Sequence, residues 1–202
     1  MRRLILLRHG VTEWNLARRF QGHADTPLSP RGHEQAAAAA RDLAGLRPAR
    51  LWSSDQARAR ETAEHVSRST GLPVVVDQRL REIHVGDFQG ITHDEARARY
   101  GAGPWDYAVH GGESDADVAI RAVAALRDVA ATLADGETGV VVTHGHSIRV
   151  ALVGFLGWPP ATVSTLGPME NCGWVELNDL PASWSESAPW RLAAYNRVAP
   201  IS

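Results

Sequence analysis

Two short apolar runs that each stop at a histidine–glycine pair constrain this chain more than any other feature. Leu4-Ile5-Leu6-Leu7 leads into Arg8-His9-Gly10, and Val140-Val141-Val142-Thr143 leads into His144-Gly145. Leu51-Trp52 and Val74-Val75-Val76 are two further runs between them, and helical stretches separate all four. Strands alternating with helices predict βαβ units and a mainly parallel sheet. Such sheets bind ligands in the crevice beyond the carboxyl ends of their strands, so both imidazoles are delivered to one edge and one shared site. Arg8 places a permanent planar cation beside His9, which makes a phosphorylated substrate the first expectation.

Capping signals set the helices between these strands. Ser29-Pro30, a cap residue followed by proline at the first helical position, opens a helix running toward Leu43 and Leu46. Asp55 is expected to cap a second helix that reaches Arg68 and stops at Gly71-Leu72-Pro73. Thr92-His93-Asp94-Glu95 carries the capping-box pattern of a short helix through Arg99. Ser114 opens the longest helix, with Val118, Val123, Leu126, Val129, Ala130 and Leu133 on one face before Gly136. Another helix is read from His146 to Leu156. Toward the end, Trp174-Val175-Glu176-Leu177 and the stretch from Trp190 to Tyr195 read as strands, either a hairpin or an addition to a sheet edge, joined by a turn-rich connection from Pro181 to Pro189. The tryptophans at 158, 174, 184 and 190 are read as filler of a core or interface.

Length and composition exclude several classes. The 202 residues suffice for one domain with a sizeable core, and no linker or repeat divides them. A net charge of -2 with interspersed signs gives no basic face for a nucleic acid. The opening apolar stretch is too short to span a bilayer or act as a signal peptide, so a cytoplasmic protein with no membrane partner is expected. Cys172 is the one cysteine, which removes internal disulfides and multi-cysteine metal sites. All 21 basic residues are arginine. Without lysine there is no Schiff base, no pyridoxal phosphate attachment and no P-loop amine, so any phosphate must be held by arginine, histidine and backbone.

Taken singly, the remaining polar residues each admit an ordinary reading. Asn15 can aim its amide at an anion or serve as a turn residue. Arg58 stands one turn into a helix near a strand end, or pairs with Glu61 at i,i+3 on a solvated face. Glu82, in a tight loop after the third strand, can donate a proton to a leaving alkoxide or be a solvated loop carboxylate. His144-Gly145-His146 invites a metal, yet no third ligand stands at a usable spacing, so no metal and no cofactor are expected.

In order, Arg8-His9-Gly10 with Thr12 and Asn15, Arg58 in its Ser-Asp segment, Leu80-Arg81-Glu82, Gly112-Glu113-Ser114 and Thr143-His144-Gly145 resemble the histidine phosphatase superfamily, which includes the phosphoglycerate mutases. The likeness covers nearly the whole chain. Within the superfamily the stretch from Leu80 to His93, His110 to Ser114 and Trp190-Arg191-Leu192 are most similar to glucosyl-3-phosphoglycerate phosphatases and related broad-specificity phosphatases. The resemblance implies a three-layer α/β/α sandwich with a mostly parallel sheet, spanning 1–202 as one domain with a lid-like insertion near 90–112. It also implies a metal-independent phosphatase of a small phosphorylated metabolite. His9 is then the nucleophile that becomes phosphohistidine, Glu82 the proton donor, and His144 the second catalytic imidazole. Arg8, Asn15, Arg58 and Gly145 bind phosphate, while Trp105, Tyr107 and His110 form a substrate lid. A cofactor-dependent mutase is the alternative, since retained substrate rather than water can discharge phosphohistidine; Ile83 after Glu82 and the short stretch from Gln89 to Gly111 favour water. A non-catalytic phosphate-binding member is the other alternative. The natural phosphomonoester stays open, and so does assembly, a homodimer included.

Overall fold

The computed structural model describes residues 1–181 and 190–200. Its centre is a six-stranded sheet: β1 (Arg3–Arg8), β2 (Arg50–Ser53), β3 (Val74–Val76), β4 (Thr138–Thr143), β5 (Trp174–Asp179) and β6 (Trp190–Arg197), in the order β3-β2-β4-β1-β5-β6. The pairs β3·β2, β2·β4 and β4·β1 are parallel, whereas β5 runs antiparallel to both β1 and β6. The two terminal runs therefore both extend the sheet edge and pair with each other. Most of the turn-rich connection expected between them, Trp184 included, lies outside the described residues.

The two central strands have unbroken apolar interiors, Leu4 to Leu7 in β1 and Val140 to Val142 in β4, because both faces of the sheet are covered. Period-two alternation sends Leu4 and Leu6 of β1, with Val141 of β4, to one face. There they meet α5 (Asp115–Ala131) and α6 (Gly145–Phe155). Ile5, Leu7, Val140 and Val142 point the other way, onto α2 (Pro30–Ala44) and α3 (Ala57–Thr70). Each fully buried Leu or Ile contributes roughly 2 kcal/mol, so a polar residue at Leu6 or Ile5 would unseat a whole layer.

Capping chemistry fixes most helix boundaries. Ser29 caps α2 through Gly32 N–H, and Ser114 opens α5 with a capping box to Asp117. Thr92 does the same with Glu95 for the short α4 (His93–Tyr100). Two helix starts differ from expectation, while several ends shift by one or two residues. Asp55 does not cap α3; Gln56 occupies that position without a side-chain bond, because both Asp55 oxygens are taken by Arg81. Helix α6 begins at Gly145, with His144 itself as the flanking residue, so the second histidine sits at the junction of strand and helix.

Topology opens the crevice. After β1 the chain turns toward α2 on one face, and after β4 it enters α6 on the other. Adjacent parallel strands whose connections leave in opposite directions leave a cleft at their carboxyl ends, and this one lies between β1 and β4.

Candidate active site

The register pairs Arg8 of β1 with Thr143 of β4, so the next residues, His9 and His144, emerge side by side. Their ring centroids are 5.2 Å apart with planes inclined at 59°, and both rings are buried. His9 Nδ1 lies 2.7 Å from the carbonyl oxygen of Gly10. A carbonyl only accepts, so Nδ1 carries the proton and Nε2 keeps its lone pair. Burial first, then the guanidinium groups of Arg58 and Arg8, hold the His9 pKa well below the ordinary histidine value. The ring is thus neutral and nucleophilic at Nε2.

His144 is tied differently. Its Nε2 stands 2.9 Å from Ser54 Oγ at the end of β2, while its buried Nδ1 has no partner among the described residues. Burial, then Arg58 and the His9 ring, push its pKa well below the ordinary value too.

Two arginines flank these rings. Arg8 donates through Nη1 to the Met169 carbonyl and lies across the start of α6. A Cβ at Gly145 would stand 3.1 Å from Arg8 Nε, so a glycine there lets the guanidinium rest against the helix N-terminus. Arg58 is fully buried. The i,i+3 pair with Glu61 on a solvated face does not form: the buried face of α3 is Arg58, Ala59, Thr62, Ala63 and Val66, and Glu61 instead accepts from Leu28 N–H at 2.8 Å. Arg58 donates to the carbonyls of Ala24 at 2.7 Å and Gly22 at 2.8 Å. Burial lowers its pKa to about 10, which still leaves it cationic at neutral pH. Arg8 Nε and Arg58 Nε are both buried without a partner.

Glu82 occupies the positive end of α6. Its carboxylate accepts from Ser147 N–H at 3.0 Å, Ser147 Oγ at 2.9 Å, Ile83 N–H at 3.0 Å and His146 N–H at 3.2 Å. Burial alone would raise its pKa; the neighbouring His146 ring, these donors and Arg58 outweigh it and leave the pKa lowered. Arg121 fixes the backbone beneath. It donates to the carbonyls of Arg79, Arg81 and Glu82 and forms a two-point pair with Glu113 at 2.8 Å.

Arg8, His9, Asn15, Arg58 and Glu82 line one cavity of about 230 Å³. Asn15, in the single-turn helix α1 (Glu13–Leu16), is turned by its capping box with Thr12, whose N–H its Oδ1 accepts at 3.1 Å. A second cavity of about 600 Å³ adjoins through Ile83, Tyr107, His146 and Arg149, which line both. Trp105 and Tyr107 stand in its wall, but His110 does not line either cavity. The His110 ring packs on Tyr100 at 4.6 Å and Phe88 at 5.2 Å, and its carbonyl passes Gly86 too closely for any Cβ there. His144 and His146 do not converge on one focus, since His146 Nε2 bonds Asp115 Oδ1 at 2.6 Å. Among the described residues no three His, Cys, Asp or Glu side chains group as a metal site.

Sequence reasoning missed Ser54, Arg121, Ser147 and Arg149. Helical spacing from His146 was the one signal for Arg149, three residues on along the same face. Ser54 and Arg121 act on partners far away in the chain, which local pattern does not reveal.

The Histidine phosphatase superfamily (branch 1) matches residues 4–188. A glucosyl-3-phosphoglycerate phosphatase of Mycobacterium tuberculosis (strain H37Rv) is 40% identical over 100% of this chain and 97% of its own length. A 2,3-bisphosphoglycerate-dependent phosphoglycerate mutase of Brucella anthropi is 35% identical over 80% of this chain and 85% of its own. Among solved structures, a mycobacterial glucosyl-3-phosphoglycerate phosphatase in complex with VO3 superposes with a TM-score of 0.88 at 39% identity, covering 97% of this chain and 99% of that one. A neutral buried histidine flanked by the half-buried Arg8 and the fully buried Arg58, with a carboxylate at a helix N-terminus, agrees with this likeness, and the chain belongs to the histidine phosphatase superfamily as a phosphoric monoester hydrolase.

Proposed function

We propose that the protein hydrolyses a glycosylated phosphoglycerate, of the glucosyl-3-phosphoglycerate kind, through a phosphohistidine on His9 and without a metal. One observation carries the reading: Arg58 is a fully buried cation with no carboxylate in ion-pair contact among the described residues. An unpaired buried charge costs several kcal/mol, and a phosphoryl group beside His9 would offset it. The same group would offer acceptors to Arg8 Nε, Arg58 Nε and His144 Nδ1, three of the five buried nitrogens without partners among the described residues, and the Asn15 amide would complete the cradle. Oriented cationic donors around the equatorial oxygens are the main protein contribution to phosphoryl transfer.

In the first step His9 Nε2 forms a bond to phosphorus as the bond to the leaving oxygen breaks. Glu82 passes a proton to that oxygen. Its lowered pKa keeps it ionised before substrate binds, and the negative phosphoryl group arriving beside it raises its proton affinity, so the proton is taken up on binding. In the second step water attacks phosphorus and gives its proton to Glu82, the phosphorus–nitrogen bond breaks, and inorganic phosphate leaves with His9 neutral again. The stretch near 90–112 acts as the lid, with Trp105 and Tyr107 against the leaving group. A lone cysteine needs no oxidising compartment, which fits a cytoplasmic enzyme. No helix of the described residues is long and apolar enough to cross a membrane.

The test is a panel of metabolite phosphates with chelator-treated protein. Glucosyl-3-phosphoglycerate should be the best substrate, p-nitrophenyl phosphate a slow one, and acid-labile, base-stable phosphate should be trapped on His9. Activity lost on chelation and restored by zinc or magnesium would overturn the mechanism, and a better rate on another phosphomonoester would overturn the substrate.

A further inference from the structure

Arg149 stands where the two cavities meet and is the one arginine in the wall of the larger. It is held rather than loose. Its Nη2 lies 3.0 Å from His146 Nδ1, and His146 Nε2 lies 2.6 Å from Asp115 Oδ1. A guanidinium only donates, so His146 Nδ1 accepts and its proton sits on Nε2, facing Asp115. The series Asp115–His146–Arg149 thus orients the guanidinium at the cost of one of its five donors, with a longer contact of 3.4 Å from Nη1 to the Leu166 carbonyl. Among the described residues no carboxylate lies within ion-pair distance of Arg149.

The acids nearby are already engaged. Glu113 is paired with Arg121, Asp115 with His146, and Asp106 caps the Ala108 N–H. With these three carboxylates in its wall the larger cavity disfavours a multiply charged group, while Trp105 and Tyr107 offer faces to a neutral polar one. The position left for an anion is the junction, next to the phosphoryl site.

We propose that Arg149 binds a carboxylate on the leaving group, so that the enzyme selects phosphomonoesters bearing an acid close to the phosphate and seats the neutral remainder in the larger cavity. This rests on the phosphatase reading above and assigns its specificity to one side chain. The planar fork of arginine matches a carboxylate at two points, and deleting either partner leaves a desolvated charge unpaired.

The experiment deletes the carboxylate from the substrate and the guanidinium from the protein. 3-Phosphoglycerate and glycerol 3-phosphate differ at the acid group, and kcat/KM for each is measured with the unmodified protein and with Arg149→Met. The unmodified protein should prefer the acid by about 30-fold or more, carried mainly by KM, the scale of losing hydrogen bonds between charged groups. In Arg149→Met the preference should collapse toward one, a strong coupling between the two deletions. Asp115→Asn, which weakens the hold on His146 but keeps Arg149, should lower the preference by a smaller factor. If Arg149→Met does not fold, the ratio in the unmodified protein still decides, since a value near one overturns the assignment. Additive effects overturn it as well. Hydrolysis of p-nitrophenyl phosphate with a flat ratio removes the Arg149 assignment alone, and no hydrolysis of any of the three removes the phosphatase reading with it.

Discussion

His9 and His144 end adjacent parallel strands, are equally buried, and differ in which nitrogen is tied and by what. His9 is held through Nδ1 by the next residue's carbonyl, a contact made within its own strand end. His144 is held through Nε2 by Ser54, a side chain delivered from another strand. The first arrangement fixes the tautomer outright, because a carbonyl cannot donate, and leaves the Nε2 lone pair free. The second does not, because a hydroxyl can donate or accept. Fold position therefore brings the two rings together, and hydrogen bonding separates their work.

The largest effect expected from this contrast is on turnover. His9→Ala should remove at least about 10⁴ of kcat, since the proposed mechanism routes the phosphoryl group through this ring. His144→Ala removes one preorganised donor and should cost on the order of 10² to 10³. Rapid-quench measurement of phosphoenzyme formation separates them: none in His9→Ala, slow but complete formation in His144→Ala. Equal losses, with phosphoenzyme absent from both, would show that the two rings act as one unit.

Stability against pH sharpens the comparison at a smaller scale. Both rings have folded pKa values pushed well below the ordinary value, mainly by burial. Below about pH 6.5 the unfolded chain binds protons that these two rings refuse, so their contribution is complete above that pH and is lost as pH falls toward the folded values. Each ring should tilt unfolding free energy by about 1.4 kcal/mol per pH unit in that range. Urea unfolding between pH 6.5 and 5 checks it, a range in which carboxylates stay largely ionised. His9→Asn and His144→Asn should each flatten the slope by one ring's share. A slope that neither variant alters would mean the rings titrate normally in the folded protein.

The strands and both histidines were legible because unbroken apolar runs stop at them, and because parallel sheets bind at strand ends. Arg58 was legible as a residue but not in its environment. Helix α3 buries Ala59, Ala63 and Val66, small side chains that mark no clear apolar face, so local spacing with Glu61 looked solvated. Asp55 resembled a cap because its competitor, Arg81, is distant in sequence. His110 was grouped with Trp105 and Tyr107 by proximity in the chain, whereas its ring packs against Phe88 and Tyr100. What local pattern lacked in each case was the partner across the fold.

The smallest effect concerns that partner for His144. Ser54→Ala removes the hydroxyl from Nε2 without touching His9, whose tether is its own backbone. The His144 ring keeps its strand-end position and its packing against His9, and loses only orientation. A neutral hydrogen bond of this kind is worth about 1 kcal/mol net, so kcat should fall by about 5-fold. The loss should appear in phosphoenzyme formation, where a misdirected Nδ1 fails the transferring oxygens, and Ser54→Thr should recover most of it by restoring a hydroxyl. In His144→Ala the same serine substitution should have almost no effect, because the serine then has no ring to orient. A full 5-fold loss in that background would mean Ser54 touches the phosphoryl group itself, and the division between a self-held and a neighbour-held imidazole would have to be redrawn.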